Sequence, residues 1–170
     1  MYYDNKPFDT FDEVKSRPVA GSVSETINVP ISCVWGIISN YGCEKAYFPD
    51  MLYRVGLTGH GVGAIRRIEF APFEGLAGFT VDERLEAIEP NNFRILYSKE
   101  DVPDDPYPAK GVTGMIELKA LSDNSTQICW TSHAKHPSPD PKQREFLKTE
   151  TERRYRHMVT VFKKLLEGRS

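Results

Sequence analysis

The feature that most constrains the fold is a run in which apolar and polar residues alternate strictly. One face of this run carries Phe79, Val81, Glu83, Leu85 and Ala87. The residues between them are all polar or charged. A period of two is typical of a strand that buries one face. The pattern therefore predicts a half-buried strand with one carboxylate, Glu83, on its inner face.

A second segment, just upstream, has a cation in the matching position. Its inner face is predicted to carry Ala64, Arg66, Ile68 and Phe70. If the two segments form a hairpin with Phe70 opposite Phe79, Arg66 lies opposite Glu83, and opposed side chains on one face are close enough to pair. Burying an ion pair is costly, and apolar replacements are often as stable. Two interpretations follow: a polar patch at the bottom of a ligand cavity, or a half-solvated pair near the rim of the sheet.

The connection between these strands, residues 71–78, is longer than the two to five residues of an ordinary hairpin. It contains Gly75 and Gly78, and it offers two large apolar side chains, Phe73 and Leu76. An apolar loop with glycine hinges beside a cavity is typical of a lid. We therefore predict that Phe73 and Leu76 are lid residues that contact a ligand.

Composition limits the classes of function. Of the 170 residues 39% are hydrophobic, and the net charge is −2, so bulk charge does not indicate binding to nucleic acid. The three cysteines are an odd number without metal-ligand spacing, which is typical of free thiols in a reducing compartment. No apolar run is long enough to span a bilayer, and the first residues do not resemble a secretory signal. We expect a cytoplasmic protein with no metal, no cofactor and no membrane insertion.

The order of the remaining elements predicts one domain. Residues 1–19 read as an N-terminal leader that drapes over the domain or forms a free tail, and residues 20–168 as a single ligand-cavity domain. A first strand is predicted over residues 20–29, a short helix capped by Ser32 over residues 30–40, and a second helical turn within residues 42–49. Six further strands follow.

A long helix is predicted over residues 141–168, with Asp140 as its cap and a proline in its first turn. One narrow sector of its circumference carries Leu147, Thr151, Arg154, Met158, Phe162 and Leu165, with Tyr155 beside it. The sector is apolar in its second half and polar in its first. This change indicates that the first half covers a cavity; the alternative is that Arg154 extends to the edge of the sheet and reaches solvent.

Three aromatic residues and one histidine complete the candidate site. Tyr97 and Trp130 are predicted on inner faces of their strands, either as cavity walls or as plain core. Tyr107 lies in a proline-rich connection, residues 99–110, which we expect to flank the same cavity mouth as residues 71–78. His133 falls on the outward face of its strand, so it is predicted to be solvated, and no third metal ligand accompanies it and His136.

The element order and several short matches resemble the helix-grip (SRPBCC) superfamily, which includes START-like, birch-pollen-allergen-like and polyketide cyclase/dehydrase-like proteins. The matches are Val34-Trp35 opening the first helix, Gly63-x-x-Arg66 and Glu83-Arg84-Leu85. The resemblance implies an α+β fold: a seven-stranded antiparallel sheet wrapped around a long C-terminal helix, with two short helices after the first strand. It also implies a cavity for lipids, hormones, polyketides or alkaloid precursors.

One branch of that superfamily, the plant abscisic acid receptors, has a gate loop similar to Gly75-Leu76-Ala77. Three departures separate this chain from the branch, one of them being Glu100-Asp101-Val102-Pro103 in the second loop, where the receptors have a His-Arg latch. Leu52 stands where the receptors have a pocket lysine, and the gate lacks the proline between leucine and alanine. Hormone sensing is therefore not expected.

Two functions follow from the resemblance and the candidate residues. The first is a cofactor-free enzyme, a cyclase, dehydratase or isomerase acting on a polyketide-like or other hydrophobic natural-product intermediate. In it Glu83 acts as general acid or base, Arg66 or Arg154 holds an enolate or carboxylate, and Tyr107 donates a hydrogen bond. The alternative is a carrier or sensor of a small hydrophobic or aromatic ligand; homodimer formation is left open. The predicted ligand contacts are Ile68, Phe70, Phe73, Leu76, Phe79, Val81, Tyr97, Trp130, Thr151, Arg154, Tyr155 and Met158.

Overall fold

The computed structural model describes residues 6–72, 77–101 and 108–168. The helices are α1 (Phe11–Lys15), α2 (Ile31–Ile38), α3 (Glu44–Tyr47) and α4 (Pro141–Leu166), with a short 3-10 turn at Pro90–Asn92. The strands are β1 (Val19–Ile27), β2 (Leu52–Thr58), β3 (Ile65–Phe70), β4 (Phe79–Glu89), β5 (Arg94–Lys99), β6 (Lys110–Ser122) and β7 (Ser125–His136).

The seven strands form one antiparallel sheet in the order β1-β7-β6-β5-β4-β3-β2. From β2 to β7 each strand pairs with the next one in sequence, and β1 lies at the edge of the sheet beside β7. The long helix α4 packs on one face, called here the inner face, and α2 and α3 follow β1. The predicted α+β helix-grip architecture is confirmed.

The core between α4 and the sheet depends on the second half of the helix. Met158, Val159 and Phe162 are buried there, and the Phe162 ring lies 5.0 Å from that of Phe48. The prediction that Leu165 belongs to the buried sector is wrong, because this side chain is 52% exposed and Leu166 packs on the core instead. The buried row continues in steps of four residues, from 158 to 162 to 166.

The helix α2 begins at Ile31, two residues earlier than a cap at Ser32 would allow. Pro30 occupies the N-cap position, and no side chain caps the helix. The prediction of Ser32 as the cap is wrong, since Ser32 already lies inside the first turn. Pro30 explains the start of α2, because its φ is fixed and its ψ of 148° is not helical, so the helix begins directly after it.

A β-bulge in β4 changes which side chains face inward. Leu85 pairs with Tyr97, but Leu96, the neighbouring residue of β5, pairs with Ala87 and not with Glu86. The strand β4 therefore has one extra residue at this point. The prediction that Ala87 faces inward is therefore wrong; it packs in an outer cluster with Leu96 and Met115. Beyond the bulge, Ile88 packs against the inner core.

The N-terminal segment covers the outer face of the sheet. Phe11 and Val14 of α1 are buried against Leu96 and Met115. Thr10 caps this helix by accepting a hydrogen bond from the Glu13 amide. These contacts hold residues 6–18 against the sheet and remove the outer face of β5 and β6 from water.

A buried polar network lies under the same segment. Asp9 accepts hydrogen bonds from Arg17 at 2.8 Å and 3.2 Å and from the Thr113 hydroxyl at 2.9 Å. Arg84 and Glu86, 3% and 2% exposed, form an ion pair at 2.9 Å, and Glu86 also accepts from the Asp9 amide. Each buried charge therefore has a partner of opposite sign.

His133 belongs to this covered surface, and the prediction that it is solvated is wrong. The strand phase was correct, because His133 pairs with Thr113 and faces outward. The side chain is nevertheless only 4% exposed, and its Nδ1 lies 3.1 Å from the Arg17 carbonyl oxygen. Residues far away in the sequence, at 17 and 18, cover it.

We expect Asp9→Asn to destabilise the protein by about 1.5–3 kcal/mol at pH 7, because it removes the charged hydrogen bonds that Asp9 accepts from the buried Arg17, which keeps Glu13 at 3.3 Å as a more exposed partner. Burial alone would raise the pKa of Asp9, but the Arg17, Lys6 and Thr113 contacts outweigh it and lower that pKa. A carboxyl group with a lowered pKa stabilises the fold above its unfolded value, near 4, and loses that contribution as the pH falls through the folded value.

Urea unfolding measured at pH 7 and at steps down to pH 3 checks both statements. The variant should be less stable at pH 7, and its stability should fall less steeply on the acid side than that of the wild type. Asp12→Asn is the matched control, since Asp12 is exposed on α1. Equal losses in the two variants would contradict the assignment to the buried pair.

Candidate functional site

A cavity of about 830 Å³ lies between the inner face of the sheet and the first half of α4. Its volume is in the range of sites that enclose a drug-sized molecule. The cavity exists because the two halves of α4 differ. The second half packs apolar side chains closely against the sheet, whereas the first half places Thr151, Arg154 and Tyr155 over the sheet. This agrees with the predicted change in character along the helix.

Most of the predicted ligand contacts line this one cavity. They are Ile68, Phe70, Phe79, Val81, Tyr97, Trp130, Thr151, Arg154, Tyr155 and Met158. Phe73, Leu76 and Tyr107 lie outside the described residues. The structure thus brings ten of these side chains to a common wall, while their roles toward a ligand stay predictions.

The predicted ion pair lies on the cavity wall. Arg66 pairs with Glu83 across β3 and β4, in the register that the hairpin predicted. Two guanidinium nitrogens, Nε and Nη2, contact the same carboxylate oxygen, Oε2, at 2.7 Å and 2.6 Å. The side chains are only 9% and 14% exposed. The pair is therefore buried beside the cavity and is not a half-solvated pair at the rim.

A second carboxylate, which the sequence did not reveal, completes this cluster. Glu44 of α3 accepts a hydrogen bond from Arg66 Nη1 through its Oε1, which also accepts from the Gly42 amide at 3.1 Å. Its other oxygen, Oε2, is buried and has no hydrogen-bond partner within the described part of the chain. A signal was present, because Glu44, Tyr47 and Phe48 are spaced to share one face of a helical turn.

Two tyrosine rings enclose the Arg66 guanidinium. Its central carbon lies 4.2 Å from the Tyr41 ring centroid and 4.6 Å from that of Tyr97. The Tyr41 hydroxyl donates to the Glu83 backbone oxygen at 2.8 Å. The guanidinium is therefore held in one position by its ion pairs and by the rings on its two faces, and the Tyr41 ring is itself bonded to the backbone of β4.

The environment changes the pKa values of both charged partners. Burial alone would lower the pKa of Arg66, but the facing carboxylates Glu83 and Glu44 hold it well above its usual value. Burial raises the pKa of Glu83, and Arg66 only partly offsets this effect. Arg66 is therefore always charged, while Glu83 takes up a proton more readily than an exposed carboxylate does.

Neutral phenols occupy the wall next to the ion pair. Trp130 Nε1 donates to the Tyr97 hydroxyl oxygen at 2.7 Å, and the Trp130 ring stacks on Tyr155 at 4.8 Å. Burial raises the pKa values of both Tyr97 and Tyr155. Both hydroxyls therefore keep their protons at neutral pH and are able to donate hydrogen bonds.

An aromatic pair and a guanidinium stand where the two long loops leave the sheet. Phe70 and Phe79 stack at 4.5 Å, and the central carbon of the Arg154 guanidinium lies 4.4 Å from the Phe79 ring centroid. Arg154 therefore lies on an aromatic surface of the cavity. On the second loop, Glu100 and Pro108 line the same cavity.

Residues 6–72, 77–101 and 108–168 hold neither a metal-binding cluster nor a membrane-spanning helix. No group of three or more histidine, cysteine, aspartate or glutamate side chains is placed to hold a metal ion. In the same ranges, no helix combines the length and the apolar character needed to cross a bilayer.

The cavity depends on close approach at one glycine. A Cβ atom at Gly114 would lie 2.2 Å from the Tyr97 ring. We expect Gly114→Ala to push Tyr97 away from this wall, to destabilise the protein by about 1–3 kcal/mol and to weaken binding of hydrophobic probes. Urea unfolding and a fluorescent-probe titration measure the two effects.

The matched control is Gly56→Ala, also in a strand, because a Cβ atom there has no neighbour within 4 Å. It should leave both stability and probe binding nearly unchanged. If the two variants behave alike, the Gly114–Tyr97 contact does not shape the cavity.

No protein-family model matches the chain, and no curated protein matches its sequence. Solved structures do match. The Zhui aromatase/cyclase from Streptomyces sp. R1128 is 18% identical with a TM-score of 0.64, over 86% of this chain and 92% of its own.

Two further structures match over a similar share of the chain. Norcoclaurine synthase from Thalictrum flavum is 14% identical, with a TM-score of 0.69 over 88% of this chain and 93% of its own. Ara h 8.0201 is 14% identical, with a TM-score of 0.65 over 87% and 97%. At these identities the likeness establishes the fold: the chain has the helix-grip fold of these proteins.

Proposed function

We propose that this protein is a cofactor-free enzyme of the cyclase, dehydratase or isomerase type. Its substrate would be a hydrophobic natural-product intermediate, polyketide-like or aromatic, enclosed in the 830 Å³ cavity. One observation carries the proposal. A carboxylate with a raised pKa, Glu83, is held on a mostly apolar cavity wall by Arg66, next to two protonated phenols.

The proposed chemistry is proton transfer at carbon beside a carbonyl group. Glu83 would accept or return the proton, and its raised pKa brings it closer to neutral pH, where general acid–base catalysis works best. The hydroxyls of Tyr97 and Tyr155 would donate to the developing enolate oxygen. Tyr107, predicted from the sequence as a donor, and Arg154, predicted to hold an anion, stay candidates for the same task.

The structural neighbours support the proposal at the level of fold only. One is named an aromatase/cyclase and another a synthase, so the helix-grip fold accommodates both kinds of reaction in those proteins. Because function resides in the site and not in the fold, the argument for this chain rests on Glu83 and its neighbours.

The alternative is a carrier or sensor that binds the same class of ligand without changing it. One observation favours it: Glu83 is paired with Arg66, which also pairs with Glu44. A paired carboxylate is less available as a base than an isolated one. The two functions predict different consequences of removing the Glu83 charge.

We also propose a cytoplasmic location and a single ligand-cavity domain over residues 20–168, preceded by the leader. The free thiols of Cys33 and Cys43 are exposed, which fits a reducing compartment. The cavity walls are drawn from β2 to β7 and from α2 to α4, so no smaller part of the chain would enclose it.

The test begins with mass spectrometry of small molecules retained by the purified protein. The identified compound, or a close analogue, is then incubated with wild type and with Glu83→Gln. For an enzyme we expect a product that differs by loss of water or by retention time. We expect the variant to be slower by about 10²- to 10⁴-fold, with binding changed much less.

The matched control is Glu69→Gln, which removes a carboxylate from the other face of the same hairpin. It should keep wild-type turnover. Binding without any turnover by the wild type would support the carrier, and equal turnover by wild type and Glu83→Gln would exclude Glu83 as the acid or base.

A further inference from the structure

The Tyr97 side chain extends across the neighbouring strand β6, because that strand has no side chain at this point. In the sheet register Tyr97 pairs with Gly114, which pairs in turn with Ser132 of β7. A Cβ atom at Gly114 would lie 2.5 Å from the Tyr97 hydroxyl oxygen. The phenol therefore lies over Gly114, and its hydroxyl reaches the side chains of β7.

Trp130 of β7 fixes one side of this hydroxyl. Its Nε1 donates to the Tyr97 oxygen at 2.7 Å in a buried hydrogen bond. The indole is itself held by stacking, since its ring centroid lies 4.8 Å from that of Tyr155 and 6.4 Å from that of Phe162. An indole N–H group donates and never accepts. The direction of the bond is therefore settled, and the Tyr97 proton points away from Trp130.

The Tyr155 hydroxyl is the second neighbour of the Tyr97 oxygen. Burial raises the pKa of Tyr97, and the hydrogen bonds with Trp130 and Tyr155 oppose this rise. Burial also raises the pKa of Tyr155, and there the hydrogen bond with Ser132 opposes the rise. A hydrogen bond donated to a phenol oxygen favours the charged form of that phenol. The pattern corresponds to donation from Ser132 to Tyr155 and from Tyr155 to Tyr97.

These four groups carry four protons but share three hydrogen bonds. Trp130, Tyr155 and Ser132 each use their proton within the chain, so the proton left over is that of Tyr97. All four side chains line the cavity. Hydrogen bonds in a chain polarise one another, so an oxygen that accepts from two donors makes its own O–H group a stronger donor.

We infer that Trp130 is a positioning residue, which turns the Tyr97 hydroxyl proton toward the cavity so that Tyr97 donates to a carbonyl oxygen of the ligand. The ligand class is thereby narrowed to hydrophobic molecules that carry a ketone or a similar carbonyl group. The inference rests on the proposed function and deepens it, because proton transfer by Glu83 beside a carbonyl group requires a donor to the carbonyl oxygen. It gives the direct contact to Tyr97 and a supporting position to Tyr155.

The test uses two neutral probes that differ in one group. One is methyl naphthyl ketone, and the other is isopropenylnaphthalene, in which a methylene group replaces the carbonyl oxygen. Isotope-edited infrared spectra of the ketone bound to the wild type should show its carbonyl stretch at a lower frequency than in hexane, because accepting a hydrogen bond weakens the C=O bond. Calorimetry gives the affinities of both probes.

Two variants separate the donor from the residue that positions it. In Tyr97→Phe we expect the infrared shift to be lost and the affinity for the ketone, relative to the alkene, to fall by about fivefold or more. Trp130→Phe keeps a ring for stacking but has no N–H group, so the Tyr97 hydroxyl is free to turn. There the same ratio should fall by about threefold or more and the infrared shift should become smaller. A purely structural role of Trp130 would change both affinities alike and leave their ratio unchanged.

The matched control is Trp35→Phe. Trp35 packs on Phe93, with ring centroids 5.7 Å apart, and it is not among the described residues that line the cavity. This variant should keep the wild-type ratio of affinities and the wild-type carbonyl frequency. Urea unfolding shows which variants are folded.

Four outcomes would overturn the inference. The carbonyl stretch is not shifted in the wild type; the ratio is unchanged in Tyr97→Phe; it is unchanged in folded Trp130→Phe; or Trp35→Phe changes it as much as Trp130→Phe does. The wild-type spectrum and Tyr97→Phe keep the test decisive where Trp130→Phe fails to fold. If neither probe binds the wild type, the proposed ligand-binding function fails as well, whereas binding without a shifted carbonyl stretch overturns this inference alone.

Discussion

The organisation of this protein depends on one buried guanidinium. Arg66 is enclosed by the carboxylates of Glu83 and Glu44 and by the rings of Tyr41 and Tyr97. Removing such a charge from water is costly, and only close partners on several sides repay the cost. The partners come from β4, from β5 and from the segment around α3. Pairing the buried charge of Arg66 therefore requires these elements to lie close together at one point of the inner face. The same requirement places a charged cluster beside a cavity whose other walls are mostly apolar.

The cavity itself follows from the uneven character of α4. The second half of the helix buries Met158, Val159 and Phe162 against the sheet, and this contact anchors the helix. The first half carries Thr151 and Arg154, which do not fill the space below them. The helix is therefore closely packed on the sheet at one end and covers a cavity at the other, where the close packing of the interior is interrupted.

The outer face is stabilised by different means. A short N-terminal helix covers part of it with Phe11 and Val14, and a polar network that includes Asp9 and Arg17 lies under the adjoining chain. The β-bulge between Leu85 and Ala87 affects both faces, because Ala87 packs in the outer cluster where regular alternation would place it in the inner core. The strand that carries Glu83 is therefore held from both sides, which supports the position of the carboxylate on the cavity wall.

The sequence by itself determined the fold class, the hairpin register and part of the cavity wall. Those features depend on local periodicity: alternation placed Arg66 opposite Glu83, and the changing face of the last helix indicated a cavity. Only the tertiary structure decided the burial of His133, the inward or outward position of Ala87, and the arrival of Glu44 beside Arg66. Each of these depends on a segment distant in sequence or on one extra residue in a strand. Periodicity predicts on which face of a strand or helix a side chain lies, but it carries no information about the segment that covers that face.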